Sequence, residues 1–350
     1  MKNRLLIYGC NGYTGELISR LAVSKKLNPI LAGRNEAAVS SLATELGCEW
    51  FVCDLSETQR LETLLANVHT VLHSAGPFQF TSEPMLAACI KTQTHYLDIT
   101  GEISVFETAK TKSEAAKAAN ILVMPGVGFD VVPTDCLSAL LKEKMPDASQ
   151  LSLGIMTVGG RLSHGTSITI IESMTGKSAK RENGKIVATH TGGNTRLIDF
   201  GFTKKLAVEI PWGDVSTAYF TTGIPNIQVF NVLPKALIKK MKWVRYFGFL
   251  LRMRWVKDSA IKNIKAKPAG PSAQERANAI THLWGEVKNA AGETKTVRID
   301  MPEGYHMTAQ FAVEIATRLL AGTVSQRGFQ TPAAVFGGNF VLGFQGVKLM

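Results

Sequence analysis

Short apolar runs alternate with amphipathic segments through the first 125 residues of the chain. The amphipathic segments, for example Glu36 to Leu46 and Val105 to Ala119, have the spacing of helices with one buried face. Such an alternation predicts an α/β domain of the Rossmann type, a doubly wound parallel sheet covered by helices. The predicted strands are the runs 4–8, 28–32, 49–53, 68–73, 95–99 and 120–124.

From about Leu151 the pattern changes. Short alternating runs at 152–158, 217–220 and 226–230 predict strands, and 283–287 with 296–299 predicts a hairpin. We therefore predict a Rossmann-type domain over 1–150 and an α+β substrate or dimerisation domain over 151–305. A helix is expected from Met307 to Leu320, and we expect the segment 306–350 to return to the first domain.

Three glycines punctuate the turn between the first predicted strand and the first predicted helix. Glycine permits a tight turn, lets backbone approach a phosphate closely and lets the helix pack on the strand. The helix N-terminus adds unpaired N–H groups and a partial positive charge, which favour a pyrophosphate. The spacing is Gly-x-x-Gly-x-x-Gly, and its place in a strand–turn–helix predicts a dinucleotide site. The residues expected to hold the pyrophosphate are Gly9, Asn11, Gly12, Tyr13, Thr14 and Gly15.

The end of the second predicted strand indicates which dinucleotide binds. An NAD site usually has a carboxylate there, whereas this chain has Arg34. A guanidinium pairs well with a 2′-phosphate, so we predict NADP(H) rather than NAD(H). The alternative is that Arg34 is an ordinary solvated loop charge. Asp54, at the end of the third run, is expected either near the adenine or as the N-cap of the next helix.

Polar residues and glycines follow three successive predicted strands. Because ligands bind at the carboxyl ends of parallel strands, these segments should converge on the nicotinamide. Small residues there let the nicotinamide ribose approach the backbone. The residues expected to border it are Ser74, Ala75, Gly76, Pro77 and Gly101. His73 is either a further contact or simply hydrogen-bonded within the fold.

A hydride-transfer enzyme needs little acid–base chemistry beyond one proton donor or acceptor. Asp98, Glu102 and Asp130 are the candidate catalytic residues, and Tyr13 is a further candidate donor. Asp98 and Glu102 have an alternative role as caps of the following helix.

The loop 161–167 offers either an anion site at a helix start or ordinary capping by Thr166 or Ser167. No metal site is predicted, because no Cys/His cluster has zinc spacing. The Tyr-x-x-x-Lys pair, a complete P-loop and a Gly-x-Ser-x-Gly elbow are also missing from the sequence.

The net charge of +11 comes mainly from one segment. Residues 235–267 contain eleven Lys and Arg and one acid, which gives a local balance of +10. The high charge therefore does not indicate a nucleic-acid partner. Within this segment, 235–257 combines lysines with Trp and Phe and predicts one of three things: peripheral contact with an anionic membrane, a lid over an apolar substrate, or a helical hairpin with solvated lysines.

Five unpatterned cysteines are typical of a reducing compartment. The N-terminal apolar run is too short for a signal peptide, and no run is long enough to span a membrane. We therefore expect a cytoplasmic protein, with peripheral membrane association as an open alternative.

Several longer motifs resemble the saccharopine dehydrogenase-like superfamily. They are the glycine turn with Tyr13-Thr14-Gly15, Ala75-Gly76-Pro77-Phe78, the segment from Tyr96 to Glu102 and the segment from Gly128 to Asp135. The stretches 221–226, 303–305 and 328–333 resemble its trans-acting enoyl reductase branch. The resemblance implies an NADP-binding Rossmann domain, a second α+β domain and an oxidoreductase.

The branch further implies reduction of a carbon–carbon double bond in a polyketide or lipid intermediate. The expected function is thus an NADP(H)-dependent reductase of a hydrophobic acyl or enoyl compound. The alternatives are an amino-acid or imine dehydrogenase of the saccharopine type and a non-catalytic NADP-binding protein of the membrane surface. A homodimer is an arrangement that the second domain would permit.

Overall fold

The computed structural model describes residues 3–173, 177–239, 241 and 254–350. The chain divides into two compact units. The first comprises Met1–Val132 and Gly304–Val335, and the second comprises Pro133–Glu303 and Phe336–Met350.

The first unit contains a seven-stranded sheet in which every pair of neighbouring strands is parallel. Its strands are β1 (Leu5–Tyr8), β2 (Ile30–Gly33), β3 (Trp50–Val52), β4 (Thr70–His73), β5 (His95–Asp98), β6 (Leu122–Met124) and β15 (Gly328–Phe329). Their order across the sheet is β15-β6-β5-β4-β1-β2-β3. The chain thus starts in the middle and winds outwards in both directions, which confirms the predicted doubly wound fold.

The helices of this unit follow the strands in alternation. They are α1 (Tyr13–Ser24), α2 (Glu36–Leu46), α3 (Thr58–Leu65), α4 (Phe78–Thr92), α5 (Ile103–Thr111), α6 (Ser113–Ala118), α12 (Gly304–Leu320) and α13 (Pro332–Phe336). Each predicted apolar run overlaps a strand, because the central strands are buried on both faces. The helix predicted from Val105 to Ala119 is interrupted at Lys112 and forms α5 and α6.

The segment after the second sheet returns in two parts. Helix α12 packs against α1, and β15 extends the parallel sheet beside β6. The last residues instead join the second unit, where Lys348–Leu349 pairs with Thr294–Pro302. Of the segment 306–350, which we expected to return to the first unit, only the part up to Val335 does so.

The second unit is built on a mixed sheet of nine strands. They are β7 (Gln150–Val158), β8 (Lys177–Glu182), β9 (Lys185–His190), β10 (Thr195–Asp199), β11 (Lys204–Glu209), β12 (Asn226–Val232), β13 (Ile280–Lys288), β14 (Thr294–Pro302) and β16 (Lys348–Leu349). The main order is β10-β11-β12-β7-β13-β14-β16, and β8 pairs with both β12 and β9. The predicted hairpin is confirmed as β13 and β14, which are antiparallel neighbours.

The described helices of the second unit are α7 (Val132–Lys144), α8 (His164–Ser173), α9 (Asp214–Thr222), α10 (Arg254–Lys265) and α11 (Ala273–Asn278), with a 3-10 helix at Gly338–Gly343. The strand predicted at 217–220 is wrong, because these residues lie inside α9. Residues 214–218 are all buried, so α9 shows no amphipathic period. Two of its β-branched threonines also bond back to the carbonyl four residues earlier, Thr217 to Gly213 and Thr222 to Ala218.

The units divide at Val132 rather than at residue 150, because α7 packs on the second sheet. A Cβ atom added to Gly285 of β13 would lie 2.6 Å from Leu141 Cδ1 and 3.0 Å from Leu137 Cγ. Leucine side chains of α7 therefore occupy the space that the missing side chain leaves.

Residues 240 and 242–253 of the predicted basic segment lie outside the described residues. Among the residues that are described, no helix is both long and apolar enough to cross a membrane.

The close packing of α7 on Gly285 leads to a prediction about the stability of the protein. We expect Gly285→Ala to lower the free energy of unfolding by about 1–3 kcal/mol, because the added methyl group overpacks a filled site. The matched control is Gly343→Ala, since a Cβ there meets nothing within 4 Å. Urea unfolding of both variants measures the difference, and equal stabilities would show that α7 is not closely packed on β13.

Candidate functional site

The glycine turn joins β1 to α1 through a tight backbone path. The N–H of Gly9 donates to the carbonyl of Ala32 at 2.7 Å, and Gly12 N–H donates to the carbonyl of Gly9 at 3.0 Å. Helix α1 then starts with the bond from Glu16 N–H to the Gly12 carbonyl. An α-helix leaves the N–H groups of its first turn without intrahelical acceptors, and these groups can bind an anion.

The turn has no room for side chains at two of its three glycines. Gly9 has a φ of +86°, and its Cβ would lie 2.8 Å from Ala75 Cβ. A Cβ on Gly15 would collide with the Gly9 carbonyl oxygen and lie 2.8 Å from Ser74 Oγ. Gly12 is less constrained, with its nearest atom at 3.3 Å. The three glycines thus form the close cradle that a pyrophosphate needs.

The other predicted pyrophosphate residues surround this cradle. Asn11 is exposed, and its Oδ1 would lie 2.9 Å from a Cβ on Gly33, so Gly33 leaves room for it. Thr14 and Tyr13 are half-buried in the first turn of α1. The Tyr13 ring packs edge-to-face on Tyr305 of α12, with ring centroids 5.1 Å apart. The start of α12 therefore supports the start of α1.

Arg34 and Asp54 follow neighbouring strands of the sheet, β2 and β3. Arg34 is exposed directly after β2. Asp54 accepts hydrogen bonds from Ser56 N–H (3.0 Å) and Ser56 Oγ (2.7 Å), and these bonds, with the Arg34 charge, hold its pKa below the usual range. The alternative role of Asp54 as a helix N-cap is wrong, because α3 begins at Thr58 and Glu57 precedes it.

The loop after β4 holds four of the predicted nicotinamide contacts. Ser74 donates from both N–H and Oγ to the carbonyl of Tyr8, at 2.8 and 2.9 Å. Ala75 lies against Gly9, Gly76 is exposed, and Pro77 directly precedes α4. The loop is therefore fixed to the end of β1, directly beside the dinucleotide turn.

Asp98, at the end of β5, is fully buried and bonds only to its own unit. Its Oδ2 accepts from the Tyr96 hydroxyl at 2.6 Å, and its Oδ1 accepts from the N–H groups of Thr100 and Gly126, both at 2.9 Å. Burial raises its pKa from the usual 3.8 to about 6 in spite of these bonds. Asp98 thus joins the loops that follow β5 and β6.

Glu102 caps a helix, but not the one that follows it. Its two carboxylate oxygens accept from the N–H groups of Phe78 (2.9 Å) and Gln79 (2.7 Å), the first two residues of α4. Glu102 does occupy the N-cap position of the following helix, α5, but its side chain makes no capping bond there. Burial raises the pKa of this carboxyl above its ordinary value.

Asp130 differs from both of these residues. It is partly buried, and no described residue hydrogen-bonds to its carboxylate. A Cβ on Gly101 would lie 3.0 Å from Asp130 Oδ2, so the bare backbone of Gly101 leaves space for the carboxylate. Surrounding protein atoms raise its pKa to about 6. The adjoining Phe129 N–H donates to Thr308 Oγ1 of α12 at 3.0 Å, which fixes the loop.

His73 is fully buried, and its Nε2 lies 3.0 Å from Thr81 Oγ1.

In the second unit, Ser163 Oγ accepts from Thr166 N–H (3.2 Å) at the start of α8, so Ser163 performs the capping that we expected of Thr166 or Ser167. Sequence reasoning missed Thr81, Gly33 and Gly126. The available signal for Gly33 was its position at the end of β2, beside the predicted cofactor.

Comparisons with known proteins support the cofactor site. Residues 5–124 match the family model of the saccharopine dehydrogenase NADP binding domain. The predicted superfamily and its cofactor, NADP(H), are thereby confirmed, and the glycine cradle fits this cofactor.

Two curated relatives carry, one each, the two family names that the motifs indicated. A trans-acting enoyl reductase of Mycobacterium leprae is 33% identical over 141 residues, which are 37% of this chain and 33% of that protein. A saccharopine dehydrogenase-like oxidoreductase of Bos taurus is 26% identical over 163 residues, 40% of this chain and 38% of that protein. The chain thus matches only about a third of the length of these relatives.

The fold is similar over a longer range. The apo saccharopine dehydrogenase (L-Glu forming) of Saccharomyces cerevisiae superposes with a TM-score of 0.68 and covers 99% of this chain and 100% of its own, at 11% identity. This likeness confirms the predicted fold, a Rossmann-type sheet with a second domain.

The buried carboxyl of Asp98 predicts a pH dependence of stability. Its folded-state pKa is raised, so its stabilising contribution is complete below about pH 4 and is lost as the pH rises through about 6. The loss is about 3 kcal/mol, because one pKa unit corresponds to roughly 1.4 kcal/mol. Asp98→Asn keeps the shape but does not titrate, so it should not show this loss. Urea unfolding at pH 3.5 and 7.5 tests the difference, and parallel pH profiles would refute it.

Proposed function

We propose that the chain is an NADP(H)-dependent reductase of a hydrophobic acyl or enoyl compound, with Asp130 as the proton donor. The observation that carries this proposal is the Asp130 carboxyl: it belongs to a partly buried residue, has no hydrogen-bond partner among the described residues and has a pKa raised by burial to about 6. It belongs to an NADP-binding unit and lies in the loop after β6, at the edge where the cofactor's nicotinamide is expected.

The chemistry needs only one such group. The bound cofactor supplies the hydride, and the protein must deliver one proton to the reduced compound. A carboxyl with a pKa near 6 remains partly protonated close to neutral pH, which suits a general acid. Asp98 and Glu102 are less suited, since their oxygens already accept backbone N–H groups.

The residue types at this edge support a substrate without carboxylates. The segments 73–80, 98–105, 125–132 and 304–308 contain no Lys or Arg. A dicarboxylic amino-acid substrate needs cationic partners for its carboxylates, most often arginine. This absence favours an acyl or enoyl compound over the amino-acid or imine alternative, and one curated relative is named a trans-acting enoyl reductase.

The non-catalytic alternative would bind the cofactor without turnover. Membrane contact through 235–257 stays a prediction, because 240 and 242–253 lie outside the described residues. A homodimer also stays a prediction.

Cofactor choice should depend on Arg34. We expect wild-type protein to bind NADPH more tightly than NADH, and Arg34→Ala to remove roughly 1.5–3 kcal/mol of that preference, the value of a hydrogen bond to a charged group. Arg318→Ala, in the last turn of α12, is the control, because the Arg318 guanidinium pairs with Glu314 of its own helix. Fluorescence titration measures all three proteins. A preference that survives Arg34→Ala unchanged would assign the 2′-phosphate to another residue.

The role of Asp130 can be tested with 2-enoyl thioesters of increasing chain length. We expect Asp130→Asn to lower turnover by about 10²–10⁴-fold, the usual contribution of a general acid, while NADPH affinity stays constant. Wild-type turnover should fall as the pH rises through about 6, and the variant should lose this dependence.

The control is Asp147→Asn, which changes an exposed aspartate of the second unit. Full activity of Asp130→Asn would refute its role as the acid. Turnover of a 2-oxo acid with an amine, and of no enoyl thioester, would support the saccharopine-type alternative instead.

A further inference from the structure

One side chain that no sequence motif indicated lies at the centre of the loop after β4. Thr81, in the first turns of α4, places its Oγ1 2.7 Å from the carbonyl oxygen of Ala75. The ordinary helical acceptor, the carbonyl of Pro77 four residues earlier, is farther away at 3.3 Å. The hydroxyl therefore acts mainly on the loop and not on its own helix.

The bond directions in this cluster follow from the chemistry of a hydroxyl. A hydroxyl has one proton, and Thr81 donates it to Ala75. Its contact with His73 Nε2, at 3.0 Å, must then run from the imidazole N–H to the Thr81 oxygen. The result is a chain of donors from His73 through Thr81 to the Ala75 carbonyl.

His73 is well suited to a fixed role in this chain. Burial lowers its pKa to about 3, so the ring is neutral, and its Nδ1 has no hydrogen-bond partner among the described residues. The ring is held by aromatic neighbours, with centroids 5.6 Å from Tyr8 and 5.4 Å from Phe78. The one polar contact that His73 supplies is the N–H directed at Thr81.

Ala75 connects this chain to the cofactor turn. On its other side Ala75 lies against Gly9, since a Cβ added to Gly9 would be 2.8 Å from Ala75 Cβ. The adjacent Ser74 donates two hydrogen bonds to the Tyr8 carbonyl. Without the Thr81 hydroxyl the Ala75 carbonyl loses this hydrogen bond, and Ala75 keeps its packing contact on the side of Gly9. The loop is then free to shift relative to the glycine turn.

We propose that Thr81 is a positioning residue for the nicotinamide half of NADP(H), acting through the Ala75 carbonyl and itself oriented by His73. The proposal rests on the NADP-binding assignment and on the expectation that 74–77 borders the nicotinamide. It does not depend on which compound is reduced. The adenine half, which is expected near Arg34, should be insensitive to Thr81.

The experiment compares the whole cofactor with a fragment that lacks the nicotinamide. Thr81→Val removes the hydroxyl with little change in volume, and Thr81→Ser keeps it. Thr92→Val is the matched control, because Thr92 lies at the other end of α4 and also bonds to a helix carbonyl, that of Ala88. Affinities for NADPH and for adenosine 2′,5′-bisphosphate are measured by titration, together with the emission of bound NADPH.

We expect Thr81→Val to weaken NADPH binding roughly three- to tenfold, the usual range for a neutral hydrogen bond, and to change the emission of the bound cofactor. Binding of the bisphosphate should stay within about twofold, and Thr81→Ser and Thr92→Val should match wild type. His73→Phe, which keeps an aromatic ring but has no N–H, should weaken NADPH in the same selective way.

Equal loss of both ligands in Thr81→Val would overturn the proposal and leave Thr81 a structural residue. Unchanged binding and emission would overturn it as well. Because no substrate is used, a wrong assignment of the reaction leaves these results unaffected. Conversely, an inactive Asp130→Asn variant says nothing about Thr81, so the two proposals fail separately.

Discussion

The space between the glycine turn and the loop after β4 sets the geometry of the first unit. Gly9 meets Ala75, and Gly15 meets both the Gly9 carbonyl and Ser74, at distances where a side chain cannot fit. This close approach brings the N-terminus of α1 directly to the carboxyl ends of β1 and β4. The expected positions of the pyrophosphate and the nicotinamide, and the hydrogen bonds that fix the loop, all depend on it.

Three carboxyl groups near this edge have different roles because their surroundings differ. Asp98 accepts three hydrogen bonds in the interior and ties two strand ends together. Glu102 neutralises the N-terminus of α4, where an anion is favoured by the helix dipole. Asp130 has no such bond among the described residues. The same chemical group is thus structural in two places and available for chemistry in the third.

The sequence was sufficient for the features that depend on local pattern. The buried parallel strands, the glycine turn and the hairpin of β13 and β14 all have a short-range signature, and all were predicted. The contact of Glu102 with Phe78 spans 24 residues, so no local pattern reveals which helix it caps. Thr81 was missed for a related reason, since a threonine inside a helix has an ordinary local explanation. Helix α9 was mistaken for a strand because five consecutive residues, 214–218, are buried, which hides the helical period.

The difference between Asp98 and Asp130 also bears on proton transfer. Both have a pKa raised to about 6 by burial, so this value alone does not separate them. If Asp98 released its proton, the charge would stay in the interior, and its hydrogen bonds would hold it there. Asp130 is a partly exposed residue, so water would be able to reach it and return the proton in the proposed reaction. Partial exposure, rather than the pKa, is therefore the reason for proposing Asp130 as the acid.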